Sequence, residues 1–121
     1  MASLIPKPLS PQAHRRFDLV ALPGLVALAL LMSRRDRQAG ALMLMVAAGE
    51  GTAMLTTDYP PPAVLPWLSF RQHIGVANIH SAFIAAVALL VPGVRHRRAV
   101  LALAAVPLVL NALSEVRDGP A

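Results

Sequence analysis

The sequence predicts an all-α fold: an integral membrane four-helix bundle made of two tandem two-helix repeats. Three observations predict it. Apolar residues fill 56% of the 121 positions and charged residues only 14%, whereas a soluble domain carries about 25% charge to keep its surface wet. The apolar residues gather in four runs, at 17–32, 39–57, 74–91 and 99–113. The polar punctuation around those runs recurs at an offset of 59 or 60 residues. A chain this small must expose much of its surface, and lipid accepts an apolar surface that water does not.

The segment 1–13 holds Pro6, Pro8, Pro11 and one lysine without an apolar stretch, so it does not read as a signal peptide. Spanning a bilayer takes about 17–25 residues. The second and third runs meet that length; the first and fourth must borrow flanking residues or sit in a thinner bilayer. Neither Leu25 to Leu31 nor Leu101 to Val106 contains a polar residue, so these helices lack the wet stripe of a soluble bundle. Ser33-Arg34-Arg35-Asp36-Arg37 and Pro92-Gly93-Val94-Arg95-His96-Arg97-Arg98 read as tight turns. The middle connection, 58–72, contains Pro60, Pro61, Pro62 and Pro66, which forbid a continuous helix. With Tyr59 and Trp67 it reads as a rigid outer flap at headgroup level.

Orientation follows from the basic residues. Arg34, Arg35, Arg37, Arg95, Arg97 and Arg98 crowd into the two short turns, while Lys7, Arg15, Arg16, Arg71 and Arg117 spread over the opposite side. The positive-inside rule then puts the turns in the cytoplasm and both termini outside. The net charge of +5 does not point to nucleic acid, because no basic stripe is interleaved with stacking aromatics. The absence of cysteine removes disulfides, thiolate metal sites and cysteine nucleophiles.

Residues 1–121 read as a single membrane domain, with repeats at 4–60 and 64–120. Ile5-Pro6-Lys7-Pro8-Leu9-Ser10-Pro11-Gln12-Ala13-His14 echoes Leu65-Pro66-Trp67-Leu68-Ser69-Phe70-Arg71-Gln72-His73 with one gap. Arg35-Asp36-Arg37 recurs as Arg95-His96-Arg97, and Asp58-Tyr59-Pro60 as Asp118-Gly119-Pro120. Units of two helices keep the same orientation, so their axis is expected along the membrane normal. The arrangement from Leu9-Ser10-Pro11 through His14, Asp18 and Thr57-Asp58-Tyr59-Pro60 to His73 resembles small bacterial membrane proteins with Ser-Pro-Trp (SPW) repeats. The triplet itself is absent here, Pro92 being followed by Gly93. The resemblance implies tandem two-helix units in a bacterial inner membrane and carries no activity with it.

Candidate functional residues lie in the outer half of the bundle. His14 and His73 are repeat-equivalent, and an axis between them would bring two imidazoles together for haem, or for a metal with Asp18 one turn on. His80 stands seven residues from His73 on the same helix face. The plainer reading makes His14 and His73 polar caps of helix starts at headgroup level, with no metal ligand set and no cofactor. Glu50, between Gly49 and Gly51, is an intramembrane carboxylate that must be neutralised or paired, and His80, Asn78, Asn111 and Thr52 are its expected partners. No enzyme motif is present. The sequence therefore favours a non-catalytic accessory or scaffolding subunit, packed against a larger membrane assembly or a second copy of itself. The alternatives are a haem- or metal-binding redox protein using His14, His73 and His80, and a small proton-coupled transporter centred on Glu50.

Overall fold

Two of the helices begin in the same way, on a serine whose hydroxyl caps the first turn. Ser10 accepts from the Ala13 N–H at 3.2 Å and Ser69 from the Gln72 N–H at 3.1 Å. Each cap satisfies a backbone donor that a helix start otherwise leaves orphaned. Pro11 follows Ser10 at a position where its missing N–H costs nothing. Gln72 returns a bond to the Ser69 backbone at 2.9 Å, closing a capping box. In a computed structural model, which describes residues 6–57 and 65–116, these caps open α1 (Pro11–Ser33) and α3 (Phe70–Leu90). The other two helices are α2 (Arg37–Leu55) and α4 (Arg97–Ala112).

α1 with α2, and α3 with α4, form two hairpins, and α2 packs against all three other helices. The shared core is built from Ala29, Val46, Ile84, Ala88, Val100 and Ala104, all fully buried. Small side chains allow close approach. At Gly40 a Cβ would collide with the Ser33 backbone and hydroxyl, so only glycine fits this crossing.

Asp36 ties the two short turns together. Its side chain caps α2 through the Ala39 N–H at 3.1 Å and also accepts from the His96 N–H at 2.9 Å. Beside it, Arg95 Nη2 donates to the Arg35 carbonyl at 2.7 Å. The N–H groups of His96 and Ala39 stabilise the carboxylate and pull its pKa from 3.8 down to about 2.

At the other end, two isolated parallel bridges join Leu9 to Ser114 and Thr57 to Leu68. Leu9 N–H donates to the Leu113 carbonyl at 3.1 Å, and Leu68 N–H to the Thr56 carbonyl at 2.8 Å. The start of α1 is thereby fastened to the end of α4, and the start of α3 to the end of α2.

The all-helical expectation is met, with four helices and no strand beyond these bridges among the described residues. Two helices are long and apolar enough to cross a membrane, α1 and α3. The third run is met as expected in α3; the first, expected to be short, is extended in α1, while the second gives α2 its 19 residues but not the apolarity. α1 reaches 23 residues because Ser10 and Pro11 start it six residues ahead of the first apolar run. α2, interrupted by Gly49-Glu50-Gly51, is not among the two, and α4 has only 16 residues. Of the outer flap, Tyr59 and Pro60 to Pro62 lie outside the described residues, as do the Asp58 and Asp118 motifs. Trp67 is 69% exposed.

Candidate metal centre

His14 and His73 are each the fourth residue of a serine-capped helix, and both are fully buried. Each meets a hydroxyl from the helix end fastened beside it. His14 Nδ1 lies 2.8 Å from Ser114 Oγ, and His73 Nδ1 lies 2.7 Å from Thr57 Oγ1. The hydroxyls are committed in turn: Ser114 donates to the Leu110 carbonyl at 2.7 Å, and Thr57 donates to the Ala53 carbonyl. A hydroxyl has one hydrogen, so both must accept from the imidazoles. His73 Nδ1 also lies 3.4 Å from the Ala53 carbonyl, which can only accept. Both rings are therefore held as Nδ1–H tautomers, with the lone pair on Nε2.

The two Nε2 atoms converge on Asp18, one helical turn beyond His14. Asp18 Oδ2 is 3.3 Å from His14 Nε2 and 3.6 Å from His73 Nε2. One ligand atom from each of the three residues falls within 4.8 Å of the others, and all three residues are buried. His14 Nε2 and Asp18 Oδ2 make no well-aligned hydrogen bond, although both are out of reach of solvent. Unsatisfied polar atoms at such depth are costly. Phe70 closes the site, stacked on His73 at 5.8 Å and edge-on to His14 at 5.1 Å.

His80, grouped with the other histidines from the sequence, does not join this cluster. It lies seven residues further along α3, and its Nε2–H donates to the Met45 carbonyl of α2 at 2.7 Å. The close approach needs Gly49, where any Cβ would strike the His80 ring. Glu50 is buried as expected, but not beside His80: its Oε1 has no hydrogen-bond partner. Asn111 and Asn78 pair with each other instead, at 2.8 Å. Glu50 lines a small cavity together with Asp18, Met54 and Pro107.

Sequence reasoning missed Thr57 and Ser114, the hydroxyls that orient the rings. Each is the second residue past the end of the second helix of its unit, a match that appears only once the helix ends are known. Comparison with known proteins assigns nothing further, since no protein-family model, curated protein or solved structure matches the chain.

Proposed function

We propose that this chain is a multi-pass membrane protein that binds one divalent transition-metal ion through His14 Nε2, His73 Nε2 and the Asp18 carboxylate. The observation that carries the reading is the pair of hydroxyl-locked imidazoles. Metal-ligating histidines almost always donate their other ring N–H to a fixed acceptor, which sets tautomer and ring direction. Here both rings do so, and both Nε2 atoms point at one buried carboxylate. Two imidazoles and a carboxylate suit Zn²⁺, Co²⁺, Mn²⁺ or Fe²⁺; all-oxygen sites suit Mg²⁺ and Ca²⁺, and thiolate or thioether sites suit Cu⁺. The sequence alternative of haem between the rings is less well supported. Asp18 and Phe70 pack where a macrocycle would need a slot.

The membrane part is supported by two helices long and apolar enough to cross a bilayer and by a broad exposed apolar surface, on which Val20 is 81% exposed, Ile79 74% and Leu90 82%. The paired bonds of His14 with Ser114 and His73 with Thr57 support the tandem two-helix units that the SPW-repeat resemblance implies. In a bacterial inner membrane with the arginine turns cytoplasmic, the centre lies about one helical turn beneath the outer face. A binding role replaces the accessory role favoured by the scarcity of reactive groups, because those few groups converge.

The test is metal binding by protein purified in detergent. One Co²⁺ or Zn²⁺ per chain is expected, with His14→Ala and His73→Ala each abolishing high-affinity binding. Binding unaffected by either substitution, or none by the wild type, overturns the proposal.

A further inference from the structure

The three ligands leave a charge imbalance. A divalent ion held by two neutral imidazoles and one carboxylate keeps a net charge of about +1, and an uncompensated buried charge is expensive in an apolar bundle. The cavity beside Asp18 holds a second carboxylate. Glu50 is 7% exposed and Asp18 6%, and each has an oxygen with no hydrogen-bond partner. Both line the same cavity, whose other walls are aliphatic, aromatic or thioether and carry no basic side chain. Two buried carboxylates thus line one apolar cavity.

We propose that Glu50 is the fourth ligand of the ion, completing a charge-neutral set of two imidazoles and two carboxylates. This rests on the three-residue centre proposed above and adds the group that neutralises it. The division of labour follows the chain. Both carboxylates come from the first hairpin, Asp18 from α1 and Glu50 from α2. At the 59-residue offset α3 has Ala77 in place of Asp18, and at the 57-residue offset that separates Thr57 from Ser114, α4 has Pro107 in place of Glu50. The second hairpin supplies a nitrogen, a hydroxyl and no charge. Glu50 stands outside the group of His14, Asp18 and His73, whose ligand atoms lie within 4.8 Å of one another, and reaches it only across the cavity it shares with Asp18. A set of two nitrogens and two oxygens holds Zn²⁺ or Co²⁺ in tetrahedral geometry.

Co²⁺ is the probe, because its visible absorption is intense in four-coordinate sites and weak in six-coordinate ones. Wild-type protein should give an intense band at one ion per chain. Glu50→Gln should lower Co²⁺ affinity at least tenfold and weaken the band as water enters the position. Met54→Leu, altering the same cavity wall, should change neither. Co²⁺ binding by the wild type should also shift two carboxylate bands in the infrared difference spectrum, a reading that does not depend on the variant folding. Unchanged affinity and spectrum in Glu50→Gln, or a single perturbed carboxylate in the wild type, overturns the role of Glu50 while leaving the three-residue centre standing. A wild type that binds no Co²⁺ overturns both.

Discussion

Ser114 and Thr57 carry no charge and supply no ligand atom, yet they decide which nitrogen of His14 and His73 is available. Remove either hydroxyl and the neighbouring imidazole can rotate or exchange tautomers, so that a lone pair no longer points reliably at Asp18. Losing such supporting partners typically lowers metal affinity by about 10–100-fold. Ser114→Ala and Thr57→Val should each produce a fall of that size with the stoichiometry still one ion per chain. Titration against a chelator of known affinity measures it. Equal effects from the two variants are expected, because the two bonds differ by only 0.1 Å and both hydroxyls are fully buried. Ser114→Thr, which keeps the hydroxyl, should bind as the wild type does.

Between elements, the clasp at Asp36 is the main polar tie. Its carboxylate holds α2's first turn and the α4 turn at once, and its pKa is depressed from 3.8 to about 2 in the folded protein. A depressed carboxylate stabilises the fold above its unfolded pKa, and that stabilisation fades as pH falls through the folded value. Asp36→Asn should therefore be less stable than the wild type at pH 6, with the gap narrowing between pH 4 and pH 2. Thermal unfolding in detergent across that range would show it, and a gap independent of pH would contradict it. The same elements show how much was legible in the sequence. Ser10 with His14, and Ser69 with His73, were readable because caps and first turns are local. The hydroxyl partners were not, because α2 has 19 residues and α4 has 16. The offset is 60 between the arginine turns and 57 at the helix ends, which sets Ser114 opposite Thr57. Glu50 and His80 were matched by depth alone. Depth says nothing about direction: Gly49 and Glu50 are neighbours but point about 100° apart around α2. Gly49 faces His80, and Glu50 faces Asp18's cavity.

For the whole molecule, the proposed topology places two exposed positions on opposite sides of the membrane. The chain has no cysteine, so single cysteines can be introduced at Lys7 and Arg35, both exposed. An impermeant thiol reagent added to intact cells should label the first and spare the second. The reverse pattern would invert the bundle and move the metal centre to the cytoplasmic face. The exposed side chains Val20 and Ile79 stand 59 residues apart, as His14 and His73 do. The exposed apolar surface thus follows the same offset as the ring pair. The carboxylates Asp18 and Glu50 do not, and this departure from symmetry supplies the negative charge that the proposed centre sets against its ion.

The His14–Ser114 bond spans 100 residues, and that span has a consequence for biosynthesis. The ribosome completes α1 long before α4 exists. Until the last helix arrives, His14 has no fixed tautomer, and until α3 arrives it has no second imidazole. A chain that stops before α3 would lack the second imidazole of the proposed centre, and one that stops before α4 would hold its ion with the weakened affinity expected of Ser114→Ala.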